Sequence, residues 1–291
     1  MPAFFAPAKV NLFLHVVGRR ADGYHLLESV FQLLDFGDTL EISVRADGLL
    51  RRVNEVPGVP EADDLAMRAA RALREAFGSG QGADISVAKR IPMGGGLGGG
   101  SSDAATVLLA LNHLWDLRLE RAQLAQIGVK LGADVPFFIF GESAFITGIG
   151  EQMAPVALPE RWFVVLQPQA MVPTAEIFRS PDLTRNTKSV KMLDFSTGDY
   201  SFARSSFAND LEAVAGLKYP AVAEAVEWLK SHAAHAQVTA RMTGSGACVF
   251  AAFASEHEAR AVYMQRPAQL GGFVAKSLAR HPLHDLAGNG R

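Results

Sequence analysis

Pro92-Met93-Gly94-Gly95-Gly96-Leu97-Gly98-Gly99-Gly100-Ser101-Ser102-Asp103-Ala104-Ala105 is the stretch that decides the fold. Six of the seven residues from Gly94 to Gly100 are glycine, which permits close backbone approach to a ligand and conformations that a side chain would prevent. Upstream, Ile85, Val87 and Ala88 belong to an extended run that ends before Pro92. Downstream, Ala104, Val107, Leu108, Leu111 and Trp115 recur at helical spacing on one face, so a helix is predicted from Ser101. A strand, a glycine loop and a helix N-terminus in that order make an anion site. The loop N–H groups, the unpaired amides of the first helical turn and its partial positive charge all favour a polyphosphate. Ser101 and Ser102 add hydroxyl donors at that end.

Other readings of the loop are weaker. A purely structural turn would carry the entropic cost of six glycines with no compensating ligand. The dinucleotide fingerprint G-x-G-x-x-G fits at Gly94, Gly96 and Gly99, but glycine-dense text satisfies it automatically. A Walker-type loop is excluded because no Lys precedes Ser101.

Working outward, Val10 to Val17, Leu26 to Phe36 and Thr39 to Val44 read as separate strands, and Asp64 to Phe77 carries Leu65, Ala69, Ala72, Leu73 and Ala76 at helical spacing. A further helix, Arg121 to Leu131, stops at Gly132. The Pro and Gly cluster from Gly148 to Pro159 is the best boundary and predicts two domains, residues 1–155 and 156–291. Past it come a strand at Trp162 to Leu166, a helix through Ala221, Ala225 and Leu229, and a strand from Ala247 to Phe253. Strands and helices are clustered rather than strictly alternating, which predicts α+β over a doubly wound parallel sheet.

With 28 Lys and Arg against 30 Asp and Glu, no global field recruits nucleic acid or an anionic membrane, so ligand phosphate must be held locally. The single cysteine, Cys248, excludes an intramolecular disulfide and fits a reducing, cytoplasmic setting. Its apolar neighbours make it buried-strand filler with no chemical role. Lys9, Asn11 and His15 interrupt the apolar N-terminal stretch, so neither a signal peptide nor a membrane anchor is expected.

Four segments together resemble the GHMP kinase superfamily. Pro92, Gly96, Leu97, Gly98, Ser101, Ser102 and Ala104 are similar to its phosphate loop P-x-x-x-G-L-G-S-S-A, with Gly99, Gly100 and Asp103 as insertions. Ala6-Pro7-Ala8-Lys9-Val10-Asn11-Leu12 resembles its opening motif, as does Arg20-Ala21-Asp22-Gly23-Tyr24-His25 downstream. Leu131-Gly132-Ala133-Asp134-Val135-Pro136-Phe137 resembles its acidic motif, and Thr243-Gly244-Ser245-Gly246-Ala247-Cys248 its C-terminal glycine motif. The matches keep the family's order across residues 6 to 248, and the extended glycine run is similar to the branch that phosphorylates a cytidine-diphosphate-linked polyol in a non-mevalonate route to isoprenoid precursors.

The resemblance implies a two-domain α+β fold with the active site in the cleft between domains, and ATP as co-substrate. It implies catalysis by Lys9 and Asp134, although a lone lysine near a strand start ordinarily snorkels and an Asp after a helix stop ordinarily caps a turn. Paired in one cleft they make a chemical unit, a carboxylate that accepts the attacking hydroxyl's proton beside a matching ammonium. ATP is implied at Pro92, Met93, Gly94, Gly95, Gly96, Leu97, Gly98, Gly99, Gly100, Ser101 and Ser102, with adenine near Leu65 and Lys89. The family usually carries Asn where Asp64 stands, and a carboxylate accepts hydrogen bonds but cannot donate them. For the acceptor, Tyr24 and Phe178 are implied to sandwich cytosine, His25 to bond its edge, Thr174 to assist and Asn11 to lie near the polyol. Mg²⁺ is expected on the phosphates, with Ser101 or Ser102 as the better protein ligands. Other branches (homoserine, mevalonate or galactose kinases) and a non-catalytic nucleotide sensor remain alternatives.

Overall fold

The computed structural model describes residues 1–78, 80–190 and 207–288. Two long antiparallel strands, β1 (Ala3–Arg19) and β2 (His25–Arg45), form its spine. Leu26 to Phe36 and Thr39 to Val44, expected as two strands, are one 21-residue strand. Gly37, between those two runs, serves a close approach, because a Cβ there would lie 2.2 Å from the Ala6 carbonyl oxygen of β1.

One edge of β2 carries β1, and the other carries β4 (Gly82–Ala88), β10 (Gly271–Leu278) and β5 (Ala144–Thr147) along its length. A short strand, β3 (Leu50–Arg52), adds parallel to β4, and β6 (Gln152–Pro155) pairs with β5. Beyond β10 the sheet continues antiparallel through β7 (Trp162–Gln167), β9 (Val249–Phe253) and β8 (Val238–Met242). The α+β expectation holds.

Helices cover the sheet in two groups. In the first are α1 (Leu65–Phe77), α2 (Gly99–Leu114), α3 (Arg121–Leu131) and α4 (Val135–Phe140). Asp64 caps α1 by accepting from the Ala66 N–H, and Gly78 closes its far end in the left-handed region. The predicted single apolar face of α2 proves too narrow. Every residue from Ser102 to Asn112 is buried, because α2 is sandwiched between the sheet and its companion helices. Each fully buried Leu or Val contributes about 1.5–3 kcal/mol, so this inner helix anchors the loop that precedes it. The second group comprises α5 (Thr174–Arg179) and the helices Glu212–Lys218, Pro220–His232 and Glu256–Met264.

Three apolar clusters result, one drawn from residues 4–146 with Leu283 and Ala287, one from 164–262 with Leu14 and Val16, and a third that joins the halves through Phe13, Leu34, Phe145, Phe163, Phe250 and Ala275. The C-terminal segment returns to the first group, where the Arg121 guanidinium donates to the carbonyls of Ile139, His284 and Ala287. That clamp fixes α4, and with it the residue just ahead of α4, Asp134.

Candidate active site

A cavity of about 1130 Å³ opens between the two halves. On its wall lie Lys9, Asn11, Tyr24, His25, Leu65, Lys89, every residue from Pro92 to Ser101, Asp134, Thr174 and Phe178. Ser102, expected beside Ser101, is off the wall. It is fully buried on the inner side of α2, and its hydroxyl has no protein partner among the described residues.

The loop's shape follows from where its carbonyls point. Gly94 and Gly95 accept from the N–H groups of Ala247 and Cys248, Gly96 from the Thr243 hydroxyl, and Leu97 from the Lys9 N–H at 3.0 Å. At Gly96 two demands coincide. Its φ is +73°, and a Cβ would lie 2.1 Å from the Thr243 carbonyl oxygen. Gly98 is the N-cap of α2 and has no side chain to cap it, so the N–H groups of Gly99, Gly100 and Ser101 face outward without helical acceptors. This is the geometry of an anion cradle. Cys248 packs under the loop, its thiol pushed up to about 12 by burial, which matches its inert reading.

Lys9 does not snorkel. It is 2% exposed, and its ammonium lies 2.6 Å from Asn11 Oδ1, 3.3 Å from Asp134 Oδ2 and 4.4 Å from the centre of the Phe31 ring. A buried ammonium needs such partners, since an unpaired charge there costs several kcal/mol, in rough terms. Asn11 is held in turn. Its N–H donates to Thr243 Oγ1, and its amide donates to Ser29 Oγ. Asp134 occupies the N-cap position of α4, as a turn residue would, but its side chain makes no capping bond and turns to Lys9. Asp134 is about a third exposed and Lys9 is nearly buried at the cavity wall, so a ligand in the cavity reaches the carboxylate more freely than the ammonium.

Lys89 borders the cavity in company that sequence reasoning missed. Its ammonium lies 2.5 Å from Asp38 Oδ2 and 2.6 Å from Asp103 Oδ2, while Asp38 Oδ1 accepts from the Arg90 and Ile91 N–H groups. Burial pulls Lys89 down, yet the two carboxylates hold it above its ordinary value. Burial pushes Asp103 up to about 7, against the pull of Lys89 and with the help of Asp38. At Asp103 the folded chain therefore keeps a proton that the unfolded one has lost between about pH 4 and 7, and this carboxyl's contribution to stability falls as pH rises through that window. Asp103→Asn should flatten that part of the profile, read as a smaller loss of Tm between pH 5 and pH 8 than in the parent chain. An unchanged profile would remove Asp103 as its source.

Asp64 also has its oxygens engaged. Oδ1 accepts from the Ala66 N–H at 2.9 Å, and Oδ2 pairs with Arg52 at 3.2 Å. At the other end of the cavity the His25 and Phe178 rings lie 5.1 Å apart, Tyr24 is 61% exposed on the wall, and the Thr174 hydroxyl bonds Ser245 Oγ at 2.6 Å. Asn209, unremarked in the sequence, donates to the Met242 and Gly244 carbonyls and shapes the glycine turn that faces the loop.

The description "GHMP kinases N terminal domain" matches residues 64–142 and "GHMP kinases C terminal" residues 195–270. A protein of Azoarcus sp. named 4-diphosphocytidyl-2-C-methyl-D-erythritol kinase is 57% identical over 281 residues, 97% of this chain and 95% of its own. The chain belongs to the GHMP kinase family. A crystal structure of 4-(cytidine 5'-diphospho)-2C-methyl-D-erythritol kinase aligns with a TM-score of 0.80 at 33% identity, covering 95% of this chain and 99% of that one. Homoserine kinase from Cytophaga hutchinsonii aligns with a TM-score of 0.74 at 16% identity over 96% of this chain and 95% of its own, a likeness of fold alone. A GHMP kinase uses ATP as co-substrate. None of its described helices is long and apolar enough to cross a membrane.

Proposed function

We propose that this GHMP kinase transfers the γ-phosphoryl group of ATP to the 2-hydroxyl of 4-diphosphocytidyl-2-C-methyl-D-erythritol, giving the 2-phosphate and ADP in isoprenoid precursor synthesis. The observation that carries the reading is the meeting, on one cavity wall, of the glycine loop, the Lys9–Asp134 pair and the Tyr24, His25 and Phe178 group. Its relatives' names agree.

In this reading the N–H groups from Gly99 to Ser101 hold the ATP phosphates, and Leu65 and Lys89 border the adenine. Asp134 orients the acceptor hydroxyl and takes its proton. Lys9, fixed by Asn11, supports Asp134 and faces the transferred group. Because the transition state of phosphoryl transfer is loose, placing the nucleophile and neutralising charge count for more than early proton removal. Mg²⁺ on the phosphates belongs to the reading and would supply part of that neutralisation. Among the described residues no group of three or more His, Cys, Asp or Glu is placed to hold a metal. The Ser101 hydroxyl on the cavity wall fits a Mg²⁺ that takes most ligands from phosphate and water. The reading keeps two domains, 1–155 and 156–291, which share a cluster that crosses the boundary, and the buried thiol of Cys248 suits a cytoplasmic setting.

Cytosine recognition falls to Tyr24, His25 and Phe178, with Thr174 beside them. Stacking on a base is worth about 1–3 kcal/mol, so Tyr24→Ala should raise KM for the cytidine substrate by roughly 5- to 100-fold with little change in kcat. An unchanged KM would take Tyr24 out of the base site. The direct test of function is to incubate purified protein with ATP, Mg²⁺ and 4-diphosphocytidyl-2-C-methyl-D-erythritol and look for the 2-phosphorylated product by phosphorus NMR. ADP formed only with a different alcohol would overturn the substrate and leave the kinase.

A further inference from the structure

Arg185 lies on the segment that follows α5, and all three nitrogens of its guanidinium are engaged. Nη1 donates to the Leu183 carbonyl at 3.0 Å, and Nη2 donates to those of Ser180 at 2.6 Å and Phe178 at 3.3 Å. Nε meets His25 Nε2 at 3.1 Å. Just after this contact the segment is stitched to the rest of the fold. Thr187 N–H bonds the Val16 carbonyl, the Thr187 hydroxyl bonds Asp210 Oδ2, and the Val190 N–H bonds Glu28 Oε2. Arg185 therefore holds a fixed place against a ring on the cavity wall.

Arginine is a donor only and keeps its proton, so the ring nitrogen it meets must accept. Neutral His25 then carries its proton on Nδ1, the reverse of the tautomer that free imidazole side chains favour. Among the described residues Arg185 is the hydrogen-bond partner of the His25 side chain, which leaves Nδ1–H for a ligand. Burial, Arg185 and Arg19, in that order, lower the His25 pKa, so the ring is neutral at pH 7.

We propose that Arg185 is a positioning residue that sets base specificity by locking His25 as a donor at Nδ1. The inference rests on the cytosine reading given above. Cytosine presents an acceptor at N3, which matches such a donor, whereas uracil presents N3–H and opposes it. For His25 to accept from uracil it would have to move its proton to Nε2, straight into Arg185 Nε–H. Discrimination at the base is thus enforced through the ring, by Arg185 holding His25 Nε2 as an acceptor.

Three measurements test this. Nitrogen-15 NMR of the histidine-labelled parent chain should find His25 in the Nδ1–H form. Arg185→Met should raise KM for the cytidine substrate and lower its preference over the uridine analogue by roughly 10- to 100-fold, with kcat and KM for ATP little changed. Arg185→Lys, which still donates to Nε2, should restore the preference. An Nε2–H tautomer in the parent chain, or a preference retained in Arg185→Met, overturns the inference while leaving the substrate reading in place. So does a preference lost only together with ATP affinity and not restored by Arg185→Lys, which marks Arg185 as scaffold. A parent chain that turns over neither compound overturns the substrate reading and this inference with it.

Discussion

Asp134→Asn should lower kcat by about 10²–10⁴-fold while leaving KM for ATP and for the acceptor close to their parent values. The amide keeps the size of the carboxylate and can still accept a hydrogen bond from the attacking hydroxyl, but it cannot take the proton. Its position ahead of α4 depends on the backbone and on the Arg121 clamp, not on the side chain, so the substitution leaves the turn in place. What it removes is the charge facing Lys9 at 3.3 Å. Lys9 keeps Asn11 Oδ1 at 2.6 Å, which limits the structural cost, and the Tm measures that cost directly. The size of the loss also discriminates between roles. A fall near the lower bound indicates that orienting the hydroxyl dominates, and one near the upper bound that proton removal does. Near-normal turnover excludes Asp134 from the mechanism.

Gly96→Ala is the second large effect, and Gly78→Ala is its control. Both glycines have left-handed backbone, with φ of +73° and +66°, so each substitution carries a conformational cost of about 1–2 kcal/mol. They differ in surroundings. A Cβ on Gly78 meets nothing within 4 Å, whereas on Gly96 it meets the Thr243 carbonyl oxygen at 2.1 Å. Backbone on one side or the other must shift, and the same turn supplies the bonds that aim the loop carbonyls away from the cavity. A displacement near 1 Å at a phosphate site can cost about 10²-fold, so Gly96→Ala should lose that much kcat/KM for ATP while Gly78→Ala keeps parental activity. Equal behaviour of the two variants would show that the loop tolerates the contact.

The parts of the site legible in the sequence were those whose chemistry is local. The glycine run, the helix after it and the stop at Gly132 each declare themselves within a few residues, because φ requirements and helical periodicity act over one or two turns. The division of β2 into two expected strands has the same origin. Locally a glycine between Phe36 and Asp38 reads as a break, and only the neighbouring strand at Ala6 explains why it interrupts nothing. Lys9 and Asp134 were each ordinary in isolation, as a snorkelling lysine and a capping aspartate, and only the order of four motifs joined them. Asp38, Asp103 and Arg185 had no local signature at all. Each matters for the partner it meets across the fold, and a single charged residue in a polar context predicts solvent more readily than a buried neighbour.

The sequence by itself determined that a glycine loop stands ahead of a helix in an α+β chain resembling a kinase family, since backbone freedom and periodicity are properties of consecutive residues. Tertiary structure alone decided that α2 is buried on every side, that Asp134 turns from its cap position to Lys9, that Lys89 is shared between two carboxylates, and that Arg185 meets Nε2 of His25. Those outcomes depend on burial and on pairings between distant segments, and burial is what turns an ordinary charge into one that must find a partner.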